Sequence, residues 1–582
     1  MPAGMMDRRE ERKWLFPDVP DEAARELALA RGLTVPTARV LLARGITGDR
    51  TIEKFLAPAL SQMSDPFRLP GMGRAVDLIL EHATGGSTIL VYGDFDADGI
   101  TATALMIRAL SRLGAMVVPF LPRRIEDGYG LSVKTLRRAV ARTRPQLVVT
   151  VDCGTDSAEA AEEAARMGID LVITDHHVPD AAHIARPVAL VNPKLADDED
   201  TYMLAGVGVA FKLVQALAMR AKERALPQAE ELKAEEFLDL VAVGTVADMV
   251  PLLRENRILV HYGLDLINRA PAPWLKAMAK YCELKFGDVD SFAIGYVLAP
   301  RINAVGRIGD PDVALELMLS DRNDARADAL AQTLERAGSR RQEIEDCIYS
   351  EATRYLETHF VPARDFVIIL ASKSWHPGVI GVVASRIAAR YNRPTVILSE
   401  VGNGKIRGSA RSIPGFPLLD HLMQCRGYLD HCGGHAMAAG IELDAGSLEP
   451  FARKLQELSS KTLGGHDMRR ILAIDSELSP AELSIEQYRS QLILRPYGHS
   501  NPYPVWATMG AVMLSRPTIF RGRHVKTSFR IGERKFDAVG FNMSYRNFPD
   551  AGAQVDIAYN ILPNRYRSGE IVLHLHDFHV HG

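Results

Sequence analysis

The stretch Val91-Tyr92-Gly93-Asp94-Phe95-Asp96-Ala97-Asp98-Gly99-Ile100 constrains the fold more than any other. It follows Ser87 to Leu90, which run into Val91 and Tyr92 as a short buried strand. It precedes Thr101 to Leu113, whose apolar spacing predicts a helix packed on a sheet. Three carboxylates therefore fall on a strand-to-helix turn, the place where open α/β sheets bind ligands. Like charges that close are unfavourable unless something positive neutralises them, and a hard divalent cation with oxygen ligands is the natural candidate. The same residues begin like a calcium-binding EF-hand loop. That loop needs a bidentate Glu at its twelfth position, where this chain has Leu105, and a helix rather than a strand before it. An acidic turn that merely caps the helix explains one aspartate or two, but not three.

At 582 residues the chain is too long for one core, and about three or four domains are expected. A formal net charge of -3 argues against a uniformly basic nucleic-acid binder, so any polyanion site must be local. Cys153, Cys282, Cys347, Cys425 and Cys432 show no Cys-x-x-Cys spacing, which suits a reducing compartment and argues against a zinc knuckle. Met1 to Phe16 is charged and lacks an apolar h-region, and no apolar run is long enough to span a bilayer. A cytoplasmic protein with no membrane partner is the expectation.

From Gly85 to about Ile184, strands alternate with helices, which predicts a doubly wound, mostly parallel sheet. Two more strands run into acids. Leu147 to Val151 leads to Asp152, and Leu171 to Thr174 leads to Asp175-His176-His177. A lone Asp after a strand is commonly an N-cap, but adjacent imidazoles after one suggest a metal ligand with a carboxylate orienting it. The buried run Leu240 to Ala247 ends at a further acid, Asp248. All four segments can converge at one edge of one sheet.

This set, Gly93 to Gly99, Val151-Asp152, Asp175-His176-His177 and Thr245-Val246-Ala247-Asp248, resembles the four motifs of the DHH phosphoesterase superfamily. Asp127-Gly128-Tyr129-Gly130-Leu131, Val191-Asn192-Pro193-Lys194 and Arg301-Ile302-Asn303-Ala304-Val305-Gly306-Arg307 look like its RecJ branch of single-strand-specific 5′→3′ DNA exonucleases. The resemblance implies two Mn2+ or Mg2+ ions bridged by Asp152. One would take Asp96, with Asp94 or a water filling out its shell; the other would take Asp98, His176 and Asp248. It also implies that Asp175 orients His176 and that His177 meets the scissile phosphate. Relatives often carry His where this chain has Tyr92, which leaves the first ion short of a ligand.

Apolar residues at helical spacing among many charges predict a connecting helix from Asp321 to about Leu356. A second, smaller α/β unit starts near Asp365 and contains Trp375-His376-Pro377-Gly378, Lys405 to Arg411, and Cys432-Gly433-Gly434-His435. Glycines let backbone approach a phosphate, and Arg and Ser donate to it. This unit resembles the DHHA1 domain. The resemblance places Ser409 and Arg411, with Arg124, in a pocket for a terminal 5′-phosphate. Arg301, Asn303, Arg307, His376, Gly433, Gly434 and His435 are the remaining substrate-binding candidates.

Short alternating strands from about Arg469 suggest a small β-barrel, and the family implies an OB-fold. Arg521, Arg523, Lys526, Phe529, Arg530, Tyr545 and Arg546 offer charge and rings for a single-strand groove. His574, His576, His579 and His581 read as one face of a last strand rather than a metal site. The expected domains are 1–320, helices plus DHH domain; 321–362, connecting helix; 363–462, DHHA1; and 466–582, OB-fold.

The expected function is a two-metal exonuclease on single-stranded DNA in repair and recombination. A single-strand-binding protein and a helicase stand as partner candidates. The alternative is a DHH phosphodiesterase of short oligonucleotides or dinucleotides, which has no use for a long groove in an OB-like tail. A catalytically dead replication scaffold of the same superfamily is a rival from another class, with no reason to retain mutually repelling acids.

Overall fold

The computed structural model describes residues 12–581 except 129, 323, 565, 566 and 568, so Tyr129 of the 127–131 motif lies outside the described residues. The chain divides into two compact units.

The larger unit comprises Ser64–Val250 and Tyr262–Met468. Its first sheet has five parallel strands in the spatial order Met116–Phe120, Thr88–Tyr92, Leu147–Val151, Asp170–Thr174 and Ala189–Val191. Leu147–Val151 is buried throughout, as a parallel strand covered on both faces must be. Strand order reverses between Thr88–Tyr92 and Leu147–Val151, and at such a switch point the loops part and leave a crevice. The turns carrying Asp94 to Asp98 and Asp152 leave the sheet there.

Helix Ala97–Arg112 is buried along nearly its whole length because it packs against helices Gly206–Glu223 and Leu238–Ala247. The second of these is the apolar run before Asp248. It is a helix and not part of a sheet edge: with Leu238 to Thr245 all buried it has no polar face, so periodicity could not reveal its type.

Helix Ala325–His359, 35 residues long, leads to a second sheet. Its strand order is His431–His435, Ala438–Asp444, Lys405–Arg411, Thr395–Gly402, Ile368–Ser372, and only the last pair is parallel. Helix Ile380–Tyr391 and the end of the long helix cover one face through Ile368, Leu370 and Ile397. Val396, Leu398, Ala410 and Ile441 on the other face pack with helices Leu418–Gln424 and Leu448–Leu463.

The smaller unit is assembled from three stretches: the described residues up to Met63, then Pro251–His261, then the residues from Arg469 onward. Strands Trp506–Met513, Gln554–Pro563, Ile571–Val580, Arg534–Gly540 and His524–Ile531 pair in that order, and the last pairs back to the first, closing a five-stranded barrel. Helices Asp21–Arg31, Val35–Ala43 and Asp49–Leu56 share its core, with Leu27, Leu41 and Phe55 in one cluster with Trp506 and Phe529. The sequence reading grouped these helices with the DHH sheet. Amphipathic spacing shows that a face is buried, not what buries it.

The buried Arg257 guanidinium clamps this unit. It donates to the carbonyls of Phe55, Leu494 and Arg495 and stacks 3.7 Å from the Phe55 ring centroid. Burial pushes it down to about 9.

Two residues expected in a strand-binding groove are interior. Phe529 lies in the core, and Arg546 pairs with Asp577 at 2.9 Å. Arg521, Arg523, Lys526, Arg530 and Tyr545 are exposed. Of the terminal histidines, His574 packs its ring against Phe541 and His576, His576 bonds to Asn560, His579 stacks on Trp14, and His581 pairs with Asp556.

Candidate metal and phosphate site

Five carboxylates and an imidazole converge at the switch point. His176 Nε2 stands 3.1 Å from Asp152 Oδ1, 3.7 Å from Asp248 Oδ2 and 3.9 Å from Asp98 Oδ2. Asp94, Asp96 and Asp152 form a second group whose ligand atoms lie within 4.8 Å of one another, and Asp98, His176 and Asp248 form another. Asp96 also caps helix Ala97–Arg112, its Oδ1 accepting from the N–H groups of Asp98 and Gly99. Asp98 in turn accepts from Gly206 N and Val207 N, where helix Gly206–Glu223 begins and its dipole favours negative charge. The N-cap and ligand readings of these aspartates therefore coexist.

The donor set fits divalent cations. Asp94 Oδ2, Asp152 Oδ1 and His176 Nε2 are buried with no hydrogen-bond partner among the described residues, and such orphaned atoms are costly unless something else binds them. Burial and mutual repulsion push Asp94, Asp152 and Asp248 far above the carboxylate range, and Asp98 to about 7. Burial pushes His176 down to about 3, so its imidazole is neutral and able to ligate.

Tyr92 is not part of this group. Its ring stacks on Phe120 and its hydroxyl donates to Gly130 O at 3.0 Å. Asp94 instead supplies a third carboxylate beside Asp96 and Asp152.

The sequence reading placed Asp175 behind the ring of His176. The structure pairs it with the other imidazole: His177 Nδ1 lies 2.7 Å from Asp175 Oδ1, which also accepts from the backbone N–H of both histidines. Asp175 Oδ2 accepts from Thr155 N. Burial opposes the charge on His177, but the bond to Asp175 outweighs it and raises this imidazole to about 9. Burial likewise opposes the charge on Asp175, and the same pairing overrides it, holding the carboxyl well below its usual range.

Beside the acids lies a cavity of about 160 Å³ lined by Asp96, Asp98, Asp248, Arg124, Asn303 and Arg307 among others. Arg124 stands over the Phe95 ring, whereas Arg123 is taken by Asp310 at 2.7 Å, which distinguishes the two adjacent arginines. Asn303 Oδ1 accepts from Ala97 N and pins the acidic turn. Burial lowers Arg307 to about 10, and the charges of Arg124 and Arg341 add to the effect. Arg411 is lowered by burial and by Arg124. It donates to Ser409 Oγ and Ser385 Oγ. These guanidinium groups disfavour one another as the acids do, and an anion relieves them.

Strand register explains how motifs far apart in sequence meet. Ser409, Gly440 and Gly433 lie in one row of the second sheet, and Arg411, Ala438 and His435 in the next, all on one face. Two glycines beside Ser409 leave the backbone bare. Gly434 alternates to the other face, where a Cβ would stand 2.4 Å from Ala438 O, so only glycine fits there.

Arg301 is turned away from the cavity, its Nε donating to Glu335 on the long helix. His376 Nδ1 accepts from Gly378 N within its own turn.

Two contributors went unrecognised in the sequence. Gly206 lies flat against Asp152, and Asn192 donates to Thr155 Oγ1 and to His177 O, fixing the histidine turn. Asn192 was visible in its motif without a role; a glycine opening a helix carries no signal of its own.

The chain matches the DHH family, N-terminal domain, over residues 88–245, the DHHA1 domain over 364–461 and the RecJ OB domain over 474–577. It is 34% identical to the single-stranded-DNA-specific exonuclease RecJ of Escherichia coli, covering 91% of this chain and 93% of that one. Identity to the RecJ exonuclease of Bacillus subtilis is also 34%, covering 91% of this chain and 66% of that protein. Among solved structures, RecJ of Thermus thermophilus with Mn2+ superposes with a TM-score of 0.81 at 29% identity, covering 98% of this chain and 80% of that one. The same protein with Mg2+ gives 0.75 at 28%, covering 98% and 78%.

Proposed function

The chain belongs to the RecJ family of DHH proteins, and from that premise we propose that it is an exonuclease hydrolysing single-stranded DNA from the 5′ end. One observation carries this reading: a cavity lined by the carboxylates of Asp96, Asp98 and Asp248 and the guanidinium groups of Arg124 and Arg307, in a cluster of acids whose Asp94, Asp152 and His176 hold orphaned buried atoms. Such a site takes a metal-bound phosphodiester and a second phosphate together.

Asp152 lies between the two ligand groups, Asp94 and Asp96 on one side and Asp98, His176 and Asp248 on the other. Mn2+ or Mg2+ ions held there supply Lewis acidity towards phosphate oxygens and a more acidic water. The remaining work falls to the chain. Asp175 fixes the His177 ring through Nδ1 and keeps it protonated near neutral pH, so the other ring nitrogen donates to an oxygen of the scissile phosphate. Arg124, Arg307, Arg411 and Ser409 hold the terminal 5′-phosphate, which sets polarity. The row of Ser409, Gly440 and Gly433 lets the strand backbone lie close to the sheet. The barrel's exposed basic residues and Tyr545 contact the strand. Working partners are a single-strand-binding protein and a helicase, in the cytoplasm. Among the described residues no helix is long and apolar enough to cross a membrane.

The test is Mn2+-dependent digestion of one single strand labelled at either end, beside its duplex, with the unmodified protein and Asp152→Ala. Early release from the 5′ end of single strand alone, lost in the variant, is expected. Hydrolysis confined to dinucleotides would establish a small-substrate phosphodiesterase instead.

A further inference from the structure

The long helix Ala325–His359 buries one carboxylate. Glu345 is 5% exposed, whereas Arg340 and Glu343 on the same helix form an ordinary ion pair in solvent. Its partner is Arg341, one turn earlier, whose guanidinium donates to Glu345 Oε1. That order, base before acid, is the less favourable one along a helix, so local helix stability does not account for the pair. Burying a carboxylate is costly, and burial pushes Glu345 upward against the pull of Arg341, Arg307 and Arg386.

Helix register brings this pair to the phosphate side of the cavity. Arg301 bonds to Glu335, and a Cβ on Gly338 would stand 3.0 Å from Arg301 Cγ. Two turns further on, Ile308 and Ile344 join one apolar cluster with Ile348 and Trp375. Helices Ala299–Ile308 and Ala325–His359 therefore run side by side in the same direction, and Arg307 comes beside Arg341 and Glu345. Arg307 lines the cavity with Arg124. The charges of Arg124 and Arg341 oppose its own, while those of Asp96 and Glu345 support it. Asp96 belongs to a candidate metal group, and Glu345 does not. When cations neutralise Asp96, Glu345 keeps its charge.

We propose that Glu345 is the counter-charge that limits how tightly Arg124, Arg307, Arg411 and Ser409 hold a 5′-phosphate, so that the cleaved nucleotide leaves and the strand advances. The inference rests on the nuclease reading above. In that reaction water adds to the scissile phosphorus and the P–O3′ bond of the first nucleotide breaks. The remaining strand keeps the phosphate as its new 5′ end, and the first nucleotide leaves with its own 5′-phosphate and a 3′-hydroxyl. Substrate and product thus present the same terminal phosphate to the same guanidinium groups. Binding both equally well lowers KM without raising kcat, and it delays exit. The pocket must empty before the new 5′ end can enter it. Glu345 acts on that shared grip through Arg307 and Arg341, as a positioning residue that touches neither strand nor metal.

The experiment compares the unmodified protein with Glu345→Gln, which keeps the shape and removes the charge, and Glu345→Asp, which keeps the charge. Binding of inorganic phosphate and of a 5′-deoxymononucleotide is measured by calorimetry on chelator-treated protein. With Mn2+, single-turnover and steady-state digestion are then measured on 5′-phosphorylated and 5′-hydroxyl single strands. Glu345→Gln should bind both phosphate probes roughly five- to thirtyfold more tightly, the effect of one unit charge at second-neighbour distance in a partly buried site. Its KM should fall on 5′-phosphorylated strands alone, and its steady-state kcat should fall while its single-turnover rate stays. Glu345→Asp should resemble the unmodified protein. Unchanged or weaker phosphate binding by Glu345→Gln overturns the proposal. So does a loss of single-turnover rate and of Tm shared by both variants, which would make the pair structural. Absence of any single-strand digestion by the unmodified protein is a separate result: it refutes the nuclease reading, and phosphate binding still decides the role of Glu345.

Discussion

Gly206 lies so close to Asp152 that a Cβ added to it would stand 2.4 Å from Oδ1. Only a residue without a side chain lets the carboxylate between the two candidate ligand groups keep its place. Gly206→Ala should therefore leave the fold intact but displace Asp152, and a shift near 1 Å costs on the order of 10²-fold in rate. Activity should fall by that factor with circular dichroism unchanged and Mn2+ binding weakened in calorimetry. Full activity in the variant would show that Asp152 tolerates movement.

The acids oppose one another until cations arrive, so neutralising one should help the metal-free fold. Asp152→Asn should abolish hydrolysis yet raise the Tm of the chelator-treated protein by a few degrees. Mn2+ should raise the Tm of the unmodified protein and have little effect on the variant. Differential scanning calorimetry with and without chelator decides it; a lower Tm for the metal-free variant would contradict the repulsion argument.

Removing the Arg411 guanidinium should erase discrimination between strand ends. Arg411→Ala should lose roughly 1.5–3 kcal/mol of the preference for a 5′-phosphate over a 5′-hydroxyl, the range for hydrogen bonds to a charged group. Competition between the two strands gives the number. Retained preference would place the phosphate elsewhere.

Acid should weaken the barrel through His576. Burial, with the charges of His574 and Arg12, pushes this imidazole down to about 3. In the unfolded chain it titrates near 6.5. Between about 3 and 6.5 the unfolded state binds more protons, so this contribution to stability is fully present above about pH 6.5 and fades as pH falls through that window. In thermal melts of the whole protein, His576→Gln should shrink the Tm loss between pH 6.5 and pH 4.5. Parallel pH profiles would show that His576 titrates normally.

Tyr92→Phe removes one hydrogen bond and no ligand. It should cost about 0.5–1.5 kcal/mol of stability by denaturant titration, leaving Mn2+ affinity as it was. A change in Mn2+ affinity would restore Tyr92 to the metal site.

What the sequence disclosed follows from which signals are local. Asp96, Asp98, Asp152 and His176 were legible because each ends a recognisable apolar run, and ends of parallel strands gather at one edge. The partner of Asp175 was not legible, since two adjacent imidazoles offer equal sequence distance and only ring direction separates them. Asp248 was found although its run was a helix, because burial on all sides hides the period. Arg301 and Arg307 differ by six residues on one helix, so they point to different neighbours, the long helix and the cavity. The association of the N-terminal helices with the barrel lay beyond any local pattern.

That association has a consequence for synthesis of the protein. Apart from Leu253 and Arg257, the helices between Asp21 and Leu56 share their core with residues made after Arg469. At about 5–20 residues per second, more than 400 intervening residues leave their apolar faces without those partners for roughly 20–80 s on the ribosome. The larger unit, by contrast, is complete in the nascent chain before the barrel strands emerge. A polypeptide stalled near Met468 would carry the whole acid cluster together with orphaned N-terminal helices, the form that chaperones meet first.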